Sequence, residues 1–324
     1  MKDFIMRLNF GVIGCSTFAR NIMIPAIKGS PGVSLEAVAS RSKEKAVAFA
    51  EQFACRAVTG YQTILDDDLI DAVYIPLPTG LHEEWVEKAI EAGKHVLVEK
   101  SFVTSYDAAL RLIGLAREKK LIIIENFLFP LHSQFNWIRA KLQDGIIGEL
   151  KLLRATFSFP AFDAGNIRNK SELGGGALFD AGAYVLKISS LILGDDLDLI
   201  GATTEFNQDF GVDFAGSGIL RNSKGQVAQV AFGFGLFYQC NLELLGTEGK
   251  ISAGRIYTSK SDFAPEIVVE TKSGREVFSL PTDDQYGNMI PHFKELLAGG
   301  SYDNSYNELL LQARLMDTFK NAAE

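Results

Sequence analysis

Between Phe10 and Glu125, short runs rich in β-branched residues alternate with segments of helical period, and that alternation leaves few architectures open. The runs are Phe10–Gly14, Leu35–Ser40, Asp71–Pro76, His95–Glu99 and Leu121–Glu125. Strands separated by helix-length segments pair in parallel through crossovers, so this third of the chain predicts an α/β domain with a parallel sheet. Trp85, Val86, Ala89 and Ile90 mark the apolar face of one crossover helix, and Gly93 can end it. After about residue 148 the period drops to two. In LKLLRATFSF, Leu153, Ala155, Phe157 and Phe159 alternate with Arg154, Thr156 and Ser158, as a half-buried antiparallel strand requires. Further strands are expected near Leu199–Phe206, Val212–Arg221, Gln226–Phe234 and Phe237–Leu245, with turns at Asn222–Gly225 and Lys272–Gly274. A helix from about Ser305 follows. The 324 residues suit two domains, expected at 1–127 and 128–324, the second an α+β domain with an open, mostly antiparallel sheet.

Composition narrows what such a chain can bind. Apolar residues make up 47% and charged residues 22%, and no uninterrupted apolar run approaches the roughly 18 residues of a membrane helix. No membrane partner is expected. The opening MKDFIMRLNFGVIG runs directly into a strand and leaves no room for a leader, so a cytoplasmic location is expected. Cys15, Cys55 and Cys240 are scattered without ligand spacing and read as buried small hydrophobes. His95 and His292 offer no ligand spacing either, and no metal is expected. A net charge of −8 argues against nucleic acid, whose binding needs clustered Lys and Arg.

The first run ends in Gly14-Cys15-Ser16-Thr17-Phe18-Ala19, a dinucleotide-binding turn with Ser16 in place of its second glycine. Gly14 permits the tight turn, and Ala19 is small enough for close helix–sheet packing. Ser16 gives up some closeness to the pyrophosphate but supplies a hydroxyl at the positive end of the next helix. The loop alone is compatible with mere capping. The second run adds a test. Where an NAD site ends this strand in a carboxylate for the ribose 2′-OH, Ser40, Arg41 and Lys43 place a hydroxyl and two cations. Those suit a 2′-phosphate, so NADP(H) is expected over NAD(H), while Ser42 can still cap the next helix.

Two further stretches carry chemistry. HVLVEKSF ends a strand at Glu99 and Lys100, on the carboxyl edge where doubly wound sheets bind ligands. ELGGGALFDAGAYVLKISSLILG runs three glycines into a helix with Asp180 and Tyr184 four residues apart, on one face. Together with DAVYIPLPTGLHEEWVEKAIEAGKHVLVEK and LELLGTEGKI, these stretches resemble the Gfo/Idh/MocA family, over nearly the whole chain. The resemblance implies a Rossmann domain followed by an α/β domain whose sheet often forms the interface of a homodimer or homotetramer. Two departures stand out: the family's E-K-P reads Glu99-Lys100-Ser101, and its D-x-G-x-H reads Asp180-Ala181-Gly182-Ala183-Tyr184. Tyrosine there resembles the sugar ketoreductase, glucose–fructose oxidoreductase and dihydrodiol dehydrogenase branches.

What the resemblance implies is hydride transfer between nicotinamide and a ketone or secondary alcohol of a carbohydrate-like substrate, a nucleotide-linked keto-sugar among the candidates. Lys100 and Tyr184 are the implied proton-transfer groups, with Asp180 orienting them. A phenol of ordinary pKa about 10 becomes a useful acid–base group near neutrality when an ammonium favours its phenolate. The loop of Pro76, Leu77, Pro78 and His82 is implied to border the cofactor together with Glu99, and Arg168 and Tyr286 the substrate; His132 reads as structural. Two other readings stay open: a dehydrogenase of a free sugar or cyclic diol, and a dinucleotide-binding regulator without turnover. The NADP(H) expectation has its own test. Arg41→Ala is expected to weaken NADPH in a binding titration while leaving NADH little changed; unchanged NADPH affinity, or tighter NADH than NADPH in the parent, contradicts it.

Overall fold

A computed structural model describes residues 7–322. Residues 1–6, on which the expectation of no leader rests, and residues 323–324 lie outside the description. The chain folds as two compact units: Met1–Val103, Asp107–Asn126 and Tyr286–Leu309 in the first, and Thr104–Tyr106, Phe127–Gln285 and Leu310–Glu324 in the second.

The first unit is built on six parallel strands: β1 Leu8–Ile13, β2 Val33–Ser40, β3 Arg56–Thr59, β4 Ala72–Ile75, β5 His95–Val98 and β6 Ile123–Glu125. Their order is β3-β2-β1-β4-β5-β6, doubly wound with its switch point between β1 and β4. Burial on both faces explains the near-continuous apolar runs. Phe10, Val12, Val73, Tyr74, Val96 and Leu97 are all inaccessible. The edge strand β3 is short and was not anticipated, because only its third position is better buried than the rest and no periodicity marks it.

A single cut after residue 127 does not describe this division, since Tyr286–Leu309 returns to the first unit. Tertiary contacts, invisible to local periodicity, hold it there. Phe293 meets Phe10 edge-on at 5.4 Å, the Lys294 ammonium donates to the Pro31 carbonyl at 2.5 Å, and the Tyr306 hydroxyl donates to the Leu121 carbonyl at 2.6 Å.

The second unit carries β7 Leu150–Phe159, β8 Asp198–Asn207, β9 Val212–Arg221, β10 Val227–Phe234, β11 Gln239–Gly246, β12 Gly249–Ala253, β13 Glu266–Thr271 and β14 Gly274–Ser279. They form one sheet in the order β14-β13-β12-β11-β7-β10-β9-β8. β7 and β10 pair in parallel and the other neighbours are antiparallel. The two expected hairpins join β9 to β10 and β13 to β14.

One face of this sheet is covered by the helix that follows the glycine run. A π-helical turn at Leu178–Gly182 leads into the α-helix Ala183–Leu193. By length and composition alone, Ser171–Leu193 could cross a membrane, an 18-residue window of it having a mean hydropathy of 1.4, but Glu172, Asp180 and Lys187 interrupt it, so the expectation of no uninterrupted apolar run stands. Of that window 72% is buried inside the protein, as befits a core helix. Its close seat on the sheet depends on Phe232 of β10. That ring lies where a Cβ on Gly182 would come within 3.1 Å and one on Gly216 within 2.5 Å, so bare backbone on the helix and on β9 makes room for an aromatic core residue.

Candidate active site

In the first unit the dinucleotide turn has the shape its sequence promises. Gly14 adopts φ 124°, and a Cβ there would stand 2.9 Å from Cδ2 of Leu77. Only glycine meets both demands. Its N–H donates to the Ala39 carbonyl at 3.0 Å, which keeps the loop in line with the sheet. Ser16 Oγ accepts from Ala19 N at 3.0 Å, so the hydroxyl that replaces the second glycine caps the next turn and keeps its O–H as a donor. That turn, Ala19–Met23, is π-helical before the helix Ile24–Gly29 takes over. Thr17 and Phe18 are exposed, and Tyr286 meets Phe18 edge-on at 6.5 Å, beside the dinucleotide turn.

Burial pushes the Cys15 thiol up to about 11, so it stays protonated. Cys15 and Cys55 are half-buried, and only Cys240 is fully inside, which corrects the expectation for the first two.

At the end of β2, Ser40 is buried and its Oγ accepts from Ser42 N at 3.1 Å. Ser42 Oγ in turn accepts from Lys45 N at 3.2 Å and caps the helix Lys43–Phe53. Arg41 and Lys43 face solvent on either side of that cap. Two neighbours escaped the sequence reading. Tyr61 feels the charge of the Arg41 guanidinium, although burial outweighs that cation and raises the phenol's pKa. Arg20 lies 4.3 Å over the Phe49 ring, with a buried Nε that has no hydrogen-bond partner.

Glu99 and Lys100 follow β5. Glu99 Oε1 accepts from the Tyr74 hydroxyl at 2.7 Å and from Asn126 Nδ2 at 2.6 Å. Burial raises the Glu99 pKa, opposed by these two bonds and by the neighbouring Lys100 charge. Lys100 is half-buried, and the Lys100–Ser101 peptide bond is cis. The chain beyond is tied back by Glu125, whose Oε1 accepts from Phe102 N at 2.8 Å. His82, expected to border the cofactor, is wholly buried with a main-chain carbonyl against each ring nitrogen, so it has no face to offer a ligand.

In the second unit the glycine run wraps a loop around the helix head. Gly175 leaves no room for a Cβ, which would sit 2.5 Å from the Arg168 carbonyl. Gly176 takes φ 107°, and a Cβ there would collide with Oδ1 of Asp213. The other Asp213 oxygen accepts from Leu178 N at 2.6 Å, at the start of the helix. Burial raises this carboxyl to about 6 against three main-chain N–H groups that favour its charged form.

Arg168 and Asp180, expected to serve substrate and catalytic pair respectively, grip one another: Nε to Oδ2 at 2.5 Å and Nη2 to Oδ1 at 3.3 Å. The same guanidinium lies 4.7 Å over the Phe162 ring. A forked, partly buried pair of this kind fixes the position of both members.

Tyr184, half-buried, stands in an aromatic box. Phe157 lies at 5.0 Å between centroids, Phe127 at 5.2 Å, Tyr257 at 5.5 Å and Phe129 at 6.1 Å. Tyr257 is sealed in and burial drives its pKa far up, so of these two neighbouring phenols Tyr184 is the one with an accessible edge. Lys187, one turn on, is buried with its ammonium 5.8 Å from the Phe127 centroid. Its spacing of three from Tyr184 was a readable signal that sequence reasoning passed over.

Asp213 gives a pH test with a defined sign. Its folded pKa of about 6 exceeds the ordinary 3.8, so between those values the native state holds an extra proton. Its contribution to stability is fully present below the unfolded pKa and falls as pH rises through about 6, by roughly 3 kcal/mol in all. Asp213→Asn retains an acceptor for Leu178 N but cannot ionise. The unfolding free energy of the parent minus that of the variant is therefore expected to drop between pH 4 and pH 7; a flat difference contradicts the assignment.

Comparison with known proteins agrees with these features. The family model described as "Oxidoreductase family, NAD-binding Rossmann fold" matches residues 8–127, and the "GFO/IDH/MocA C-terminal domain" matches residues 135–252. Two similar relatives are named dTDP-3,4-didehydro-2,6-dideoxy-alpha-D-glucose 3-reductase. That of Actinomadura kijaniata is 37% identical, over 98% of this chain and 96% of its own. That of Streptomyces violaceoruber is 40% identical, over 99% and 97%. A solved structure of KijD10, a 3-ketoreductase from Actinomadura kijaniata in complex with NADP and TDP-benzene, superposes with a TM-score of 0.94 at 36% identity, covering 98% of each chain. With both of its units matched by the family's models and its length matched by these relatives, the chain belongs to the GFO/IDH/MocA family of oxidoreductases.

Proposed function

We propose that this chain is an NADP(H)-dependent ketoreductase acting on the ketone of a nucleotide-linked keto-sugar, with Lys100 and Tyr184 as its proton-transfer groups. The observation that carries the reading is the full-length likeness to a 3-ketoreductase solved with NADP and TDP-benzene, in a chain that keeps both side chains. That ketoreductase has also been solved with a lysine changed to alanine and with a tyrosine changed to phenylalanine. The two altered residues are spaced along its chain as Lys100 and Tyr184 are along this one.

The first unit suits NADP(H). Gly14 permits the tight turn at φ 124°, Ser16 keeps an O–H to donate, and Arg41 and Lys43 stand exposed after Ser40, where a 2′-phosphate would be held. These cations matter in a protein of net charge −8, because an anionic ligand must find local positive charge.

Bound NADPH supplies the hydride. The chain's own task is to manage the charge that appears on the ketone oxygen. In this reading the Lys100 ammonium stabilises the developing alkoxide and favours ionisation of the Tyr184 phenol, and the phenol gives the alkoxide its proton. The four rings around Tyr184 hold its hydroxyl on one bearing, which a proton donor needs. Asp180, gripped by Arg168, steadies the helix turn before Tyr184. In this reading the enzyme works as a cytoplasmic homodimer or homotetramer, joined through the second unit's sheet. The edge strand β8 and its neighbour β9 support that assembly, since they expose Ile200, Phe206 and Ile219.

Following NADPH absorbance with a panel of keto-sugars tests the whole reading: consumption is expected with nucleotide-linked members and far less with free sugars. Tyr184→Phe and Lys100→Ala are each expected to lower kcat by about 10²- to 10⁴-fold while NADPH still binds. Silence across the panel, or parent rates in both variants, contradicts it.

A further inference from the structure

His82 is the first residue of the helix His82–Glu91 and is wholly inaccessible. Its Nε2 lies 2.7 Å from the carbonyl oxygen of Leu77, in the loop after β4, and its Nδ1 lies 2.8 Å from that of Ser101, in the loop after β5. Each loop reaches a functional element. The Leu77 side chain packs where a Cβ on Gly14 would intrude, so it abuts the dinucleotide turn. Ser101 is joined by one peptide bond to Lys100. A single imidazole thus stands between the loops that leave the carboxyl ends of β4 and β5, the first of which abuts the loop after β1 through Leu77.

The chemistry of the ring gives the arrangement its direction. A neutral imidazole donates through one nitrogen and an imidazolium through both. Burial and the Lys100 charge press the ring toward its neutral form, while the carbonyls of Ser101, Leu77 and Phe102 favour the cation. Lys100 is the charged group that acts on it from the β5 loop. In either state the ring keeps a carbonyl in its grasp. A solvated histidine at the start of a helix would serve for capping alone, whereas this one faces main-chain carbonyls of the loop leading into its helix and of the loop after β5.

We propose that His82 is a positioning residue, a strap that ties the main chain of the Leu77 loop to that of the Lys100 loop and so fixes where the Lys100 ammonium stands relative to the dinucleotide turn. The inference rests on the reading of Lys100 as a proton-transfer group given above. It goes beyond that reading by assigning the placement of the ammonium to a residue that touches neither substrate nor cofactor. A displacement of about 1 Å in such a group can cost on the order of 10²-fold in rate.

The test is a double-mutant cycle on the full-length protein, with kcat measured at saturating NADPH and substrate and NADPH binding measured by titration. His82→Leu fills the ring's place without donating a hydrogen bond. It is expected to lower kcat about 10- to 100-fold in the parent, to leave NADPH affinity within about threefold because the adenosine end is held elsewhere, and to change kcat less than threefold when Lys100 is already alanine. His82→Gln, which restores a side-chain N–H donor, is expected to recover part of the loss. Equal losses in the two backgrounds mark a merely structural lesion and overturn the proposal, as does a parent-like kcat in His82→Leu. Should the leucine variant fail to fold, the same cycle is read on His82→Gln, where additivity overturns it equally. Parent-like turnover in Lys100→Ala instead removes the reading of Lys100 on which the strap depends, so the two failures are distinguishable.

Discussion

The carboxylate of Asp213, received into the head of an apolar helix, is the contact on which the second unit's chemistry depends. It takes the Leu178 N–H at 2.6 Å, and its other oxygen fills the space a Cβ on Gly176 would need. With the loop closed, Arg168 meets Asp180 and the helix presents Tyr184 at a fixed height in its box. A polar group in so apolar a helix is costly unless paired, and each polar side chain near its head answers that cost differently. Asp180 has a forked cation, Lys187 lies by an aromatic face, and Tyr184 keeps one edge accessible.

The first unit solves a different problem with similar economy of parts. The carboxyl ends of its strands must carry an anion-receiving turn, a lysine and the loops between them in register. Close approach does this at Gly14 and Leu77, and shared acceptors do it at Glu99 and Glu125. The bonds converge on two carboxyl groups, that of Glu99 beside Lys100 and that of Glu125, which takes the N–H of Phe102 two residues beyond that lysine. Loss of the proline usual after that lysine leaves the same stretch fastened by side chains instead.

Much of this was legible in the sequence, wherever the signal was local. β9 was read to the residue, and β8, β10 and β11 to within two, because alternation with period two is a direct imprint of one buried face. Gly14 and the Ser42 cap were legible for the same reason: their geometry is set within a few residues. What failed was pairing across long separations. Nothing within a window of helical length tells that Asp213 will cap Leu178, that Tyr286–Leu309 will return to the first unit, or that His82 will spend both nitrogens on main chain. Arg168 and Asp180 were each singled out, yet their pairing with one another was not, since chemistry suitable for a ligand is equally suitable for a neighbour. The short strand β3 escaped because an exposed edge carries no apolar pattern.

The central claim is that an ammonium and a phenol from distant parts of the chain act on one carbonyl oxygen. A crystal structure of the protein with NADPH and an unreactive analogue of a nucleotide-linked keto-sugar measures this most directly. The account predicts Lys100 Nζ and Tyr184 Oη both within about 2.6–3.2 Å of the analogue's carbonyl oxygen, or one water away, with that carbon facing the nicotinamide. An analogue bound with either group turned away from that oxygen would contradict it.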